Sequence, residues 1–291
     1  MRIGLALGGG GARGLAHIAI LEAFDELGVK PAMIAGTSIG ALIGAAYAAG
    51  MPASEIRLYC KTTFARRGSL IRHLYFRWRG RVWDYWRPGS PALFKSERIF
   101  ELVLPADLPK TFEALEIPFC AVAADLFSQT EYVCASGPLL PAIAASAALP
   151  ALLTPVQLDG HTLIDGAFVN PLPFDLLTGH TDFCIAVDVT GGVSEQKRRY
   201  PKPIETLLGA QQLALRSIIN AKLKVSAPDL LLRPPVGLFQ VLEFRRMEEI
   251  IAAAAEAKEQ TIRALAALLE RPHQPALQLP SSGKTHQPPA Q

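Results

Sequence analysis

The chain has 291 residues, half of them hydrophobic and 19% charged, which is enough apolar material to bury a core in one large domain or two small ones and argues against disorder. Its formal net charge of +3 is only mildly basic, so composition does not point to a nucleic-acid binder. Cys60, Cys120, Cys134 and Cys184 are widely spaced with no C-x-x-C pair, no apolar run approaches the roughly 18 to 20 residues of a spanning helix, and the N-terminus lacks a usable signal-peptide core. A cytoplasmic protein, soluble or peripheral to a membrane, is expected, without zinc or disulfides.

In chain order, Ile3 to Leu7 has the length and composition of a strand, a glycine cluster follows, and Leu15 to Leu27 has helical spacing ending at Gly28. Pro31 to Ala35 reads as a second strand and Ala41 to Ala49 as a small-residue helix stopped by Gly50. These fifty residues form a βαβα unit, which implies parallel pairing. Further strands are expected at Phe119 to Ala124, Thr130 to Cys134 and Phe183 to Val189, with helices at Leu140 to Ala148 and Met247 to Leu269. The expectation is an α/β fold: one three-layer domain over residues 1–271, with a mostly parallel central sheet flanked by helices.

Two stretches depart from the pattern. Residues 64–88 hold seven arginines and Trp78, Trp83 and Trp86 against a single acid, Asp84, and read as a basic, aromatic insertion or lid. Residues 272–291 are rich in proline, serine, glutamine and histidine without apolar periodicity, the composition of a disordered tail.

Gly36-Thr37-Ser38-Ile39-Gly40 falls between an expected strand and an expected helix, matching the G-x-S-x-G nucleophile elbow in sequence and context. The turn must be sharp, so side chains at Gly36 and Gly40 would collide with neighbouring backbone, and the serine sits at the positive end of a helix. The competing explanation is a serine that merely caps the helix.

Gly8-Gly9-Gly10-Gly11-Ala12-Arg13-Gly14 lies between the first strand and first helix, so several backbone N–H groups can converge where an acyl-transfer enzyme needs oxyanion donors. Arg13 adds positive charge or braces the loop. Gly9, Gly11 and Gly14 also satisfy the dinucleotide fingerprint G-x-G-x-x-G. That pattern requires an acid about 20 residues on to hold the ribose; Pro31 to Gly40 contains none and supplies the serine instead.

His17, His161 and His180 are candidates for the base that would activate Ser38, each with a structural alternative as a packed, turn or loop residue. Asp165, in Leu163-Ile164-Asp165-Gly166-Ala167, taken alone is an ordinary Asp-Gly turn. Asp125 and Asp188 end expected strands, where ligands gather in open α/β sheets, and stand in reserve.

The glycine loop, the Ser38 elbow and Asp165-Gly166-Ala167, in this order, resemble the patatin-like phospholipase family in its bacterial form. Ala142 to Val156, with Ser146, Pro150 and Pro155, and the later Asn170-Pro171 add to the resemblance, which covers residues 2–190 well and weakens towards 270. It implies a Ser-Asp dyad without histidine: Ser38 attacks an acyl ester, and Asp165 takes its proton and later activates the water that releases the acyl group. Gly9, Gly10 and Gly11 would form the oxyanion hole, with Arg13 at the family's basic position. A free carboxylate is too weak a base for this task, so the dyad requires a desolvated Asp165.

The resemblance implies a lipid or other acyl-ester substrate and no cofactor, and independence from calcium follows because glycine N–H groups do the electrostatic work. Arginine and tryptophan in 64–88 suit an anionic membrane surface, giving an expectation of peripheral contact. The alternative class is a catalytically silent lipid- or partner-binding module on the same fold; intact Ser38 and Asp165 argue for the enzyme. Headgroup, positional specificity and oligomeric state are left open.

Overall fold

The computed structural model describes residues 1–63, 95–150, 152–191 and 203–270. The basic segment 64–88 and the tail 272–291 lie outside the described residues.

The elements are β1 (Ile3–Leu7), α1 (His17–Glu26), β2 (Met33–Thr37), α2 (Ile39–Ala48), α3 (53–63), α4 (Ser96–Val103), β3 (Phe119–Asp125), β4 (Thr130–Cys134), α5 (Leu139–Ser146), β5 (Val156–Leu158), β6 (His161–Asp165), β7 (Phe183–Val187), α6 (Pro203–Val225), β8 (Leu230–Leu232), α7 (Met247–Ala253) and α8 (Ala255–Leu269). Strands β3, β2, β1, β7 and β8 pair side by side and parallel, as the βαβα start implies. Pairs β3–β4, β3–β6 and β5–β6 are antiparallel, so the sheet is mixed but mostly parallel.

Every residue of β1 and β3 is buried, because both faces of the sheet are covered. Alternation along the strands divides the core in two. Leu5, Leu7 and Ile34 join the large cluster formed with α1, α2, α5, α7 and α8. Ala6, Ala35, Cys120 and Ala186 face the other way, towards Phe174, Leu177 and Ile219. Small side chains on this second face let the 3-10 turn Phe174–Leu177 and α6 approach closely, completing three layers.

Several boundaries differ from the sequence reading for local reasons. The segment Gly11–Ala16 is a 3-10 turn, and α1 begins only at His17. The expected single helix from Met247 breaks at Ala254, where one half packs on that 3-10 turn and the other on α1. His161 opens β6 instead of lying in a turn; the turn is Asp159-Gly160, both at positive φ, a two-residue hairpin link. Strands β5, β6 and β8 are only three to five residues long, and they and the helices α4 and α6 have no counterpart in the sequence reading, although α4 is amphipathic.

Pairing along β3 creates the site. Strand β4 occupies one edge of β3 across Ala121 to Asp125. The opposite edge is shared: β2 pairs up to Thr37 with Val122, and β6 arrives antiparallel to place Asp165 beside Ala123. Two strands therefore meet end to end, one ending just before Ser38 and the other at Asp165.

Candidate active site

Ser38 sits in the turn between β2 and α2 with φ 56° and ψ −121°, a conformation costing a non-glycine residue about 1–3 kcal/mol. The hydroxyl does not cap α2. It donates instead to Asp165 Oδ2 at 2.7 Å, with Ser38 9% and Asp165 3% exposed. The turn is as tight as the motif demands: a Cβ on Gly40 would stand 2.1 Å from the Leu7 carbonyl oxygen, and one on Gly36 2.6 Å from that of Gly40. The Ser38 N–H donates to Ser146 Oγ at 3.0 Å, and Thr37 Oγ1 donates to the Asn170 carbonyl at 2.8 Å. The elbow is thus held by α5 on one side and by the chain beyond Asp165 on the other.

Asp165 Oδ1 accepts the Ala167 N–H at 2.9 Å. Burial pushes its carboxyl up to about 6, against the opposing pull of the bonds from Ala167 and Ser38. The desolvation that a carboxylate base requires is therefore present.

The glycine loop passes directly over the serine; a Cβ on Gly9 would lie 3.4 Å from Ser38 Cβ. The Gly9 N–H is already donated to the Pro171 carbonyl at 2.9 Å, which removes it from the expected oxyanion donors. Among the described residues, the N–H groups of Gly10 and Gly11 have no acceptor. Arg13 does not aim charge at the serine. Its guanidinium donates to the carbonyls of Phe239 at 2.7 Å and Thr190 at 2.6 Å and to Gln212 Oε1 at 2.9 Å, bracing the loop against α6 and the chain after β7.

None of the three histidines joins the dyad. His17 is fully buried with Nε2 donating to the Gly8 carbonyl at 2.8 Å, and burial lowers it to about 4, so it is a neutral strut beneath the loop. His161 Nδ1 lies 2.6 Å from Asp125 Oδ2 with its ring against Tyr132. His180 is exposed and precedes β7, at the end of the parallel strands remote from Ser38. The reserve aspartates are engaged elsewhere: Asp125 also accepts the Phe127 N–H, and Asp188 accepts from Thr190 and Arg233.

A support that sequence reasoning missed lies behind Asp165. Lys222 of α6 donates to Asn170 Oδ1 and Asp175 Oδ1, each at 2.5 Å, and to the Leu172 carbonyl at 3.1 Å. Asn170 Nδ2 in turn donates to Glu131 Oε1 at 2.8 Å. Asn170-Pro171 was the only sequence signal for this network, since its lysine is 52 positions away. Among the described residues no group of three or more His, Cys, Asp or Glu side chains is placed to hold a metal ion.

This constellation has a family counterpart. The family model described as patatin-like phospholipase matches residues 5–178, spanning the glycine loop, the elbow and Asp165. The chain belongs to the patatin-like phospholipase family. It is 36% identical over 193 residues to an uncharacterized NTE family protein of Mycobacterium tuberculosis, covering 65% of this chain and 49% of that one. A patatin-like phospholipase domain-containing protein of Caenorhabditis elegans is 30% identical over 274 residues, 86% of this chain and 20% of its own length. The neuropathy target esterase sws of Drosophila melanogaster is 29% identical over 273 residues, 85% of this chain and 18% of its own. The chain thus spans about half of its mycobacterial relative and about a fifth of the animal ones.

Proposed function

We propose that the protein is a serine acyl hydrolase that cleaves acyl esters of lipids with Ser38 as nucleophile and Asp165 as the only side-chain base. The observation that carries this reading is the 2.7 Å bond from a strained, positive-φ serine to a carboxylate whose burial raises it to about 6. Asp165 takes the Ser38 proton as Oγ attacks the ester carbonyl, and the N–H groups of Gly10 and Gly11 hold the resulting oxyanion. Protonated Asp165 then supplies the proton to the leaving alcohol. In the second half, Asp165 withdraws a proton from the water that attacks the acyl-serine and returns it to Ser38 Oγ as the acyl–oxygen bond breaks and the free acid leaves. Ser146 and Asn170 act as positioning residues, holding Ser38 and the neighbouring backbone, and Arg13 braces the oxyanion loop.

A lipid substrate is supported by membership of a phospholipase family and by relatives named as phospholipase-domain proteins and an esterase. No helix among the described residues is long and apolar enough to cross a membrane, and contact with a lipid surface is part of this reading. The sequence assigns that contact to residues 64–88. Replacing Arg77, Trp78, Arg79 and Trp83 by alanine is expected to weaken binding to anionic vesicles, and unchanged binding would remove the assignment.

The deciding experiment exposes the chain to a fluorophosphonate probe beside Ser38→Ala and Asp165→Asn, maps the adduct by peptide mass, and assays a short-chain ester. Labelling confined to Ser38, with both variants folded and inactive, is the expected result. No labelling and no turnover, even with vesicles present, would return the weight to a silent binding module.

A further inference from the structure

A second site lies one strand away from the glycine loop. Strands β7 and β8 end at Val187 and Leu232, at the same carboxyl end of the sheet as Ser38. The chain leaves β1 for β2 on one side, while β7 and β8 add on the other, so the gap between β1 and β7 is the topological switch point where open α/β sheets form their ligand crevices. Beside it is a cleft of about 190 Å³ lined by Asp188, Gly191, Arg216, Asn220, Arg233 and Pro235. Its near wall is continuous with the oxyanion loop: a Cβ on Gly10 would press on Val189, and one on Gly191 would lie 3.3 Å from Arg13 Nη1.

The cleft is short of acceptors and rich in donors. Asp188 is buried, and its oxygens are engaged: Oδ1 by the Thr190 N–H and hydroxyl at 3.0 and 2.6 Å, Oδ2 by Arg233 Nε at 3.2 Å. Holding Arg233 through Nε leaves its two terminal nitrogens without acceptors among the described residues. Arg216, half-buried on α6, has no partner among the described residues, and the Asn220 amide stands one turn further along the same helix face. Two planar guanidiniums and an amide lining one small cleft, set among Ile219, Pro234 and Pro235, offer the donors that a tetrahedral oxyanion accepts from. The volume is below the roughly 300 Å³ at which drug-sized ligand pockets begin, which suits a small charged group and not an acyl chain.

We propose that this cleft binds a phosphate group through Arg216, Arg233 and Asn220, with Asp188 orienting Arg233. The phosphate belongs to a lipid headgroup or to free phosphate; the first source rests on the acyl-ester reading above, whereas phosphate binding itself does not.

The test is calorimetric titration of the full chain with inorganic phosphate and with glycerophosphocholine, paired with kcat/KM for a monomeric short-chain phosphatidylcholine and for p-nitrophenyl butyrate. Wild type is expected to bind with a Kd of roughly 1 mM, weakened about tenfold or more by Arg216→Gln, Arg233→Gln and Asn220→Ala. Arg2→Gln, which removes an equal charge at the far end of the sheet, should change nothing. Arg233→Gln releases a buried carboxylate, so melting curves accompany each variant, and Arg216→Gln and Asn220→Ala keep the test open if Arg233→Gln fails to fold. A headgroup site predicts that Arg216→Gln lowers kcat/KM for the phospholipid about tenfold and leaves the neutral ester untouched. Loss of phosphate binding with both esters unaffected supports the cleft as a site for free phosphate. Absence of binding in wild type, or affinity unchanged in the folded variants, overturns the proposal. If no ester is hydrolysed at all, the acyl-hydrolase reading falls, and the calorimetry still decides the cleft.

Discussion

Asp165 and Asp125 lie on one antiparallel ladder, Asp165 opposite Ala123 and Asp125 opposite Leu163, and their surroundings drive them in opposite directions. Asp165 is enclosed, has one hydroxyl and one amide for company, and is pushed up to about 6 chiefly by burial. Asp125 is held at about 2, first by the bond to His161 and then by the Phe127 N–H, against a smaller desolvation effect. The same residue type, two ladder positions apart, is a proton acceptor near neutral pH in one place and a fixed anion pinning a hairpin in the other. Both carboxylates are nearly shut off from solvent, so what separates them is the number and charge of the donors and the depth of burial, not the chemistry of the side chain.

The largest test of this contrast is kinetic. Asp165→Asn should lower kcat for a soluble ester by about 10³–10⁴-fold, because no other base contacts Ser38. Asp125→Asn should change kcat only a few-fold, on the order of one RT in free energy. A comparable loss in both variants would break the distinction. The pH profile sharpens it: kcat/KM should fall about tenfold per unit below an apparent pKa near 6, the ionisation of Asp165, and Asp125→Asn should keep that acidic limb.

Stability should separate the pair with opposite signs. The folded state holds the Asp165 proton more tightly than the unfolded chain does, so the carboxylate destabilises the fold increasingly as pH rises from about 4 to about 6, and the full cost persists above that. Asp165→Asn should therefore unfold later than wild type at pH 8, by on the order of 2–3 kcal/mol, with the advantage vanishing below about pH 4. Asp125 runs the other way. Its depressed value contributes stability that is complete above about pH 4 and is lost as pH falls towards 2, so Asp125→Asn should be the less stable variant at neutral pH. Denaturant melts of both variants at pH 8 and pH 4 check the two signs.

Ser146→Ala removes the acceptor of the Ser38 N–H and should lower kcat about tenfold while leaving the acidic limb of the profile in place. The smallest expected effect is none: a chelator should leave ester hydrolysis unchanged, and loss of activity restored by calcium would require a different site.

Much of the site was legible because its two best signals are local. Gly36 and Gly40 mark a turn too tight for side chains, and the glycine run after β1 marks a loop able to turn N–H groups inward, so spacing together with the strand-to-helix context made Ser38 and its neighbours candidates. Local pattern could not say which glycine donates. Gly9 is excluded by the Pro171 carbonyl, 162 residues downstream, and Arg13 is drawn away by Thr190, Phe239 and Gln212, partners brought by three distant segments. Asp165 as the partner of Ser38 was legible only through family resemblance, since Asp165-Gly166 by itself looks like any turn and β6 is too short to announce itself.

By itself, then, the amino-acid sequence determined what depends on neighbours in the chain: the parallel βαβα start, the tight serine turn and the glycine loop. Tertiary structure alone decided which side chain lies against Ser38. Strands β2 and β6 end against each other on one edge of β3, and covering both faces of the sheet excludes water from their junction. The basicity of Asp165 is set by that loss of solvent, a property of the enclosed volume that no spacing in the sequence encodes.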